Sequence, residues 1–268
     1  DNGILVYNYR TDKYEQPDTD FPTDVRTMVL QGDTLWIGSL NGLYTYQLKS
    51  RQLNHFDSKQ TGLPHNTIYS IIHTKDNQIY IGTYNGLCRY VQASGKFENI
   101  LLPVNRGGSN LFVNSLLEDT TRQCIWIGME GYLFQYNPTT GEMKAIEVFH
   151  NNSIKSLALD GDENLLAGTD NGLYVYQNDK EPLQHIIHDS RNIQSLTNNI
   201  IWNIFSDQEH NIWLGTDYGI SLSRYNSALQ FVPISQITGT GDGNQFYSLF
   251  RDSKGFYWFG GTNGVIRF

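Results

Sequence analysis

Apolar positions along the chain fall into short bursts of alternation rather than helical stripes, and the bursts recur. The segments LWIGSLNGLYTY (35–46), IYIGTYNGLCRY (79–90), LLAGTDNGLYVY (165–176) and IWLGTDYGI (212–220) are variants of one phrase. IWIGMEGYLFQY (125–136) is a copy one residue shorter between its glycines, YWFGGTNGVIRF (257–268) is another, and DNGILVY (1–7) is the tail of the same phrase. The second glycine of each copy stands at Gly3, Gly42, Gly86, Gly131, Gly172, Gly219 and Gly264, at intervals of 39, 44, 45, 41, 47 and 45 residues. A period of that size outranks any element-by-element assignment, because it marks a repeated supersecondary unit.

Before each phrase sits a short run, VRTMV (25–29), IYSII (68–72), VNSLL (113–117), IKSLA (154–158), IWNIF (201–205) or FYSLF (246–250). After it comes another, such as LNHF (53–56), FENILL (97–102), LQHII (183–187) or LQFVPI (229–234). Each period therefore holds four strands, here named A to D in chain order. The A–B turns carry turn-forming residues such as Gln31-Gly32-Asp33 and Ser206 to Asn211. No segment sustains a 3.6-residue apolar stripe, so helices have little room. A four-stranded unit repeated in this way predicts an all-β chain folded as a β-propeller, whose sheets bury each other's faces and keep their edges short. Trp36, Tyr80, Trp126, Trp213 and Trp258 recur at one position of strand B and read as packing between blades. The glycines bracketing each B–C turn read as positions of positive φ or close approach in a tight hairpin. No helix follows any of them, or follows Gly239-Thr240-Gly241-Asp242-Gly243, to receive a phosphate.

Counted along the chain the strands number two, then five sets of four, then three. The reading opens and stops within a strand C, which predicts a piece of something larger. It fits a seven-bladed propeller that is incomplete here. Six blades remain open, as does a junction near 237–245 between one propeller and the next.

Composition narrows the chemistry. The 268 residues are 39% hydrophobic, 13% aromatic and 17% charged, which suits packed sheets. A net charge of −8 without a basic run gives no attraction to phosphate backbones, so no nucleic-acid partner is expected. Cys88 and Cys124 are too few for a disulfide framework and read as buried free thiols. No apolar stretch reaches the roughly 18 residues of a membrane span. His185 and His188, three apart on a strand, point to opposite faces and make a poor metal pair. Asp160-Gly161-Asp162-Glu163-Asn164 has the look of a calcium loop, but it lacks the downstream bidentate Glu and lies where an A–B turn is expected. No G-x-S-x-G motif occurs. No cofactor, metal or catalytic residue is expected.

At the level of the phrase, the order of strand A, acidic turn, then aromatic-apolar-Gly-Thr-x-x-Gly-Leu-Tyr resembles the two-component regulator propeller repeat. SLFRDSKGFYWFGGTNGVIRF (248–268) matches it best, followed by SIIHTKDNQIYIGTYNGLCRY (70–90) and NIFSDQEHNIWLGTDYGI (203–220). Leu166-Ala167 in place of the aromatic pair and the shortened Met129-Glu130 copy depart from it. The resemblance implies the periplasmic ligand-sensing part of a hybrid two-component receptor. In such receptors propellers precede a membrane span, a histidine kinase, a receiver and a DNA-binding domain, and many respond to oligosaccharides from polysaccharide breakdown. It further implies partners in the same receptor, namely another propeller and the signalling domains, and a homodimer. A propeller glycosidase or lyase is the enzymatic alternative, since that architecture can gather carboxylates around its axis. The turns with Asp207…Trp213 and Asp252…Gly255…Trp258 even resemble the aspartate boxes of sialidases, which are structural turns remote from the catalytic site. A protein-interaction scaffold without a small ligand is the third reading.

One column breaks the repeat. Strand A keeps apolar residues at its first and fourth positions, while the second reads Arg26, Tyr69, Asn114, Lys155, Trp202 and Tyr247. In propellers strand A lies nearest the axis, and the D–A and B–C loops share one face. These six residues, with Tyr84, Glu130, Asp170, Asp217 and Tyr218 of the B–C loops, are the candidate ligand-binding set. Polar groups interleaved with rings suit carbohydrate, whose hydroxyls seek hydrogen bonds and whose C–H faces stack on aromatics.

Overall fold

The structure, a computed structural model, describes residues 3–17, 20–104, 111–146, 152–177, 180–238 and 243–268. Two compact units divide the chain, residues 1–118 and 119–268. The first unit holds the hairpin β1 (Val6–Asn8) and β2 (Lys13–Glu15), then a sheet of β3 (Val25–Gln31), β4 (Thr34–Ser39), β5 (Leu43–Gln47) and β6 (Leu53–Phe56). A four-residue helix α1 (Ser58–Thr61), capped by Asp57 at its start and by left-handed Gly62 at its end, leads to a sheet of β7 (Ile68–His73), β8 (Ile79–Thr83), β9 (Gly86–Val91) and β10 (Lys96–Ile100). Strand β11 (Val113–Asp119) comes next, in sheet order with β12 (Cys124–Met129), β13 (Leu133–Tyr136) and β14 (Met143–Ile146). The second unit continues with β15 (Ile154–Leu159), β16 (Leu165–Thr169), β17 (Gly172–Gln177) and β18 (Lys180–Ile186). The following sheet is β19 (Ile201–Ser206), β20 (Ile212–Thr216), β21 (Gly219–Ser223) and β22 (Val232–Pro233). After a second short helix α2 (Ser235–Thr238), β23 (Phe246–Arg251), β24 (Tyr257–Gly261) and β25 (Gly264–Arg267) close the described chain.

The expected all-β propeller is what folds, with six blades among the described residues, the count left open beside seven: five four-stranded and one three-stranded, of antiparallel strands taken in chain order, after a leading hairpin. The helices amount to single turns. The supposed junction at 237–245 falls partly outside the described residues.

Blade faces make the core. In the second unit Leu166, Leu173 and Val175 of one blade meet Ile201, Ile204, Ile212 and Leu214 of the next. Beyond it Trp213, Ile220 and Leu222 meet Phe246, Leu249 and Phe259. In the first unit Trp36 and Leu43 meet Ile68, Ile71, Ile79 and Ile81. Strand-B tryptophans pack on aromatics of the following blade, with ring centroids 5.9 Å apart for Trp126 and Tyr176 and 4.5 Å for Trp213 and Tyr257. Each such pair is worth about 0.5–1.5 kcal/mol beyond its buried area.

The two glycines of the phrase do different work. The first is where a neighbouring blade comes close: a Cβ on Gly215 would stand 2.6 Å from the carbonyl oxygen of Phe246, the residue that opens the next strand A. The second adopts the left-handed φ of the hairpin, +92° at Gly219. Its amide then donates to a carbonyl two residues ahead of the next strand A, as in Gly86 to Leu111, Gly131 to Asn152, Gly172 to Asn199 and Gly219 to Asn244, at 2.7–3.0 Å.

At the other end of the blade an acceptor on the A–B turn takes the indole N–H of strand B. Asp207 Oδ1 accepts the amides of Glu209 and Asn211, and Oδ2 accepts Trp213 Nε1 at 2.8 Å, Asn211 Nδ2 at 3.0 Å and the Tyr257 hydroxyl of the next blade at 2.8 Å. Asp119 with Trp126, Asp252 with Trp258 and Gln31 with Trp36 repeat the link. Asp160 spends its carboxylate on Asp162, Asn164 N and Asn164 Nδ2, so the apparent calcium loop is a turn of the same kind. Burial alone would raise the Asp207 carboxyl, but the Trp213, Asn211 and Tyr257 donors outweigh it and hold it below the usual carboxylate range. Burial and the neighbouring carboxylate push the Tyr257 phenol up, to about 12.

Two outcomes are expected. Gly215→Ala should destabilise the chain by roughly 1–3 kcal/mol, because backbone rather than a flexible side chain meets the new methyl group; an unchanged denaturant midpoint would refute this. A carboxyl whose folded pKa is depressed contributes stability that is present above its unfolded value, about 3.9 for Asp, and is lost as pH falls through the folded value. Melting temperature should therefore fall on acidification below about pH 4, and Asp207→Asn should be less stable at neutral pH with a shallower acid limb.

Candidate functional site

A shift of register marks the start of strand A in every blade whose A–B pairing the structure specifies. The ladder skips between Val25 and Thr27, Ile68 and Ser70, Ile154 and Ser156, Ile201 and Asn203, and Phe246 and Ser248. The residue left out is each time the second of the strand: Arg26, Tyr69, Lys155, Trp202 and Tyr247. A bulge of this kind re-aims one side chain and frees it from the alternation that fills the core. These positions vary because blade packing does not constrain them.

Beside them the B–C loops are held from within. Thr216 Oγ1 donates to Gly219 O at 2.8 Å and accepts the Tyr218 amide at 3.1 Å. Thr169, Thr83 and Ser39 do the same in their blades, which accounts for the Thr or Ser after the first glycine. The loop tips thus project from rigid hairpins.

In the second unit the candidate residues meet. Lys155 Nζ lies 4.4 Å from the Trp202 ring centroid, and Trp202 meets Tyr247 edge-on, with centroids 5.2 Å apart at 69°. Trp202 Nε1 donates to Asp217 Oδ1 at 3.0 Å, Gln245 Nε2 donates to the same oxygen at 2.6 Å, and the Tyr247 hydroxyl donates to Gln245 Oε1 at 2.5 Å. Three successive bulges and one loop carboxylate are thereby joined. A cation over an exposed ring contributes about 0.5–1 kcal/mol, so the lysine is seated but displaceable. Alongside, Glu130 bridges to Ser153, whose amide donates to Asp170 Oδ1 at 3.0 Å. Tyr218, 55% exposed, turns instead to a cavity of about 280 Å³ lined by His188, Asn192, Ser195, Thr197 and Gln236.

The first unit places its candidates around a different ring. Tyr69 and Tyr84 both meet Phe112 edge-on, at 6.1 and 4.3 Å, and His65 tilts against Tyr84 at 4.9 Å. Asn114 is half-buried on β11, and Arg26 is exposed on β3. Sequence reasoning missed Gln245, Phe112 and His65, all in D–A connections, where no repeat signals a role.

Among the described residues no group of three His, Cys, Asp or Glu is arranged to hold a metal ion. His185 stacks on Tyr174 and His188 Nδ1 meets Leu196 O at 2.5 Å. Both cysteines are free and buried, burial pushing the Cys124 thiol up to about 11.

Comparison with known proteins agrees with this architecture. The two component regulator propeller family matches residues 62–85, 195–218 and 240–263. The solved extracellular domain of the putative hybrid two component system BT4673 from B. thetaiotaomicron is 83% identical, with a TM-score of 0.83, over all of this chain and 36% of that one. Histidine kinase P4 of Formosa agariphila is 27% identical across 99% of the chain, which spans 21% of that protein's length. Streptogramin B lyase shares the fold alone, at 12% identity and a TM-score of 0.74 over 96% of this chain and 83% of the lyase. The phrase recurs through the blades, and three of them are two-component regulator propeller repeats by their match to that family.

Proposed function

We propose that the chain is a ligand-sensing part of the extracytoplasmic, periplasmic region of a homodimeric hybrid two-component receptor, and that its ligands are oligosaccharides released from polysaccharides. The observation that carries this reading is the 83% identity, along the whole chain, to the extracellular domain of a putative hybrid two component system. The network of Lys155, Trp202, Asp217, Gln245 and Tyr247 supports a small polar ligand, since rings and carboxylate are held ready by one another. No helix among the described residues is long and apolar enough to cross a membrane, so the span and the kinase of such a receptor would belong to other segments.

The chain itself is read as non-catalytic. Its carboxylates at the A–B turns are consumed by indole and amide donors, and the likeness to a lyase is one of fold only. Calorimetry against neutral oligosaccharides, with melting temperature measured in parallel, tests the proposal. Binding without release of reducing ends is expected. Tyr69→Ala or Trp202→Ala should each weaken it by roughly 1–3 kcal/mol where the ring belongs to the site. A variant that melts earlier but binds as before removes that ring from the site. Turnover abolished by a single carboxylate replacement would make the chain an enzyme instead.

A further inference from the structure

The two rings of the second unit's network stand in different states. Trp202 is half-buried and occupied by the protein itself: the Lys155 ammonium lies over it, its N–H is bound to Asp217, and Tyr247 crosses it. Tyr247 is 43% exposed, and its hydroxyl is fixed by Gln245. Gln245 can satisfy both neighbours in one orientation only, its carbonyl toward the phenol and its amide toward the carboxylate. Both donors to Asp217 converge on Oδ1, so Oδ2 has no hydrogen bond among the described residues.

We infer that Tyr247 and Asp217 Oδ2 are the ligand-contacting pair of this site, taking a neutral polyhydroxylated ring, while Gln245 and Trp202 are positioning residues. A pyranose or furanose ring offers what the pair lacks: a C–H face for the exposed phenol ring and hydroxyl donors for the free carboxylate oxygen. An anionic sugar would meet the Asp217 carboxylate, and a cationic ligand would meet the Lys155 ammonium already seated 4.4 Å from the indole. Trp202 holds Asp217 from one side and Gln245 holds it from the other, which fixes Oδ2 without touching the ligand. This assignment rests on the reading of the chain as a ligand sensor.

The test is calorimetry on the full chain with tetrasaccharides of glucose, galactose, mannose and xylose, a tetramer of galacturonate, and tetramethylammonium as the cationic probe. At least one neutral tetrasaccharide should bind. Its affinity should fall by about tenfold or more in Tyr247→Ala and in Asp217→Ala, and less in Tyr247→Phe, which keeps the ring. Gln245→Ala and Gln245→Glu should each weaken binding severalfold with melting temperature unchanged; the second keeps the shape of the side chain but removes the amide donor, so equal losses assign the effect to that donor. Neutral-sugar binding that survives Tyr247→Ala and Asp217→Ala overturns the pair and leaves the sensor reading standing. Binding of galacturonate or tetramethylammonium in place of the neutral sugars overturns the ligand class. Silence of all the neutral tetrasaccharides overturns the pair and the oligosaccharide reading together.

Discussion

At the first glycine of the phrase the backbone of one blade lies against strand A of the next with no room for a methyl group. The contact is to Ile68 at Gly38, Val113 at Gly82, Ile201 at Gly168 and Phe246 at Gly215, at 2.6–2.7 Å from the position a Cβ would take. Each of these neighbours is the opening residue of its strand A and is fully buried. Four residues on from Gly82, Gly168 and Gly215, the second glycine sends its amide across to the carbonyl two positions ahead of that same strand. Side-chain packing and a main-chain hydrogen bond together fix where the next strand A begins. The bulge that follows is then the nearest position able to vary, because the residue it extrudes leaves both the ladder and the core.

The opposite end of each blade is restrained by different chemistry. An Asp on the A–B turn satisfies turn amides and an indole at once, and Asp207 adds the Tyr257 hydroxyl from the following blade. A buried carboxylate with four or five donors costs little to keep charged and much to leave unpaired. Such turns are poor places for a ligand that needs a carboxylate oxygen, since their acceptors are already filled. Asp217, on the B–C side, has one oxygen filled and one without a hydrogen bond among the described residues. That difference separates two acidic turns that look alike in sequence.

Much of this was legible in the chain before its folding. The period, the four strands in each repeat and the aromatic position of strand B follow from alternation and spacing, and the strands emerge in that order. Apolar residues at the first and fourth positions of strand A break the period of two, and the bulge between the first and third is the physical reason. The glycines were only half legible: a tight hairpin explains Gly219, but the constraint on Gly215 comes from Phe246, 31 residues away in the sequence. Gln245 was opaque because it stands in a connection that repeats nothing, and its role exists only through Asp217 and Tyr247. Met28 sits in the apolar column of strand A yet is 50% exposed, so burial of that column depends on the blade faces that adjoin it and not on the strand.

The shortened copy shows where the repeat yields. In four of the B–C loops a Thr or Ser closes the hairpin through its hydroxyl, whereas Met129 occupies that place and closes it with its backbone amide to Tyr132. One fewer residue then separates the glycines, and Glu130 becomes the exposed tip that bridges to Ser153. The junction to the next blade is nonetheless kept, because Gly131 still donates to Asn152 at 2.8 Å. A loop can therefore change its length and its side chains as long as the second glycine reaches the next blade. The residues free to vary are those that neither close the hairpin nor touch the next strand A, which in the second unit are Glu130, Asp170, Asp217 and Tyr218 beside the bulged Lys155, Trp202 and Tyr247.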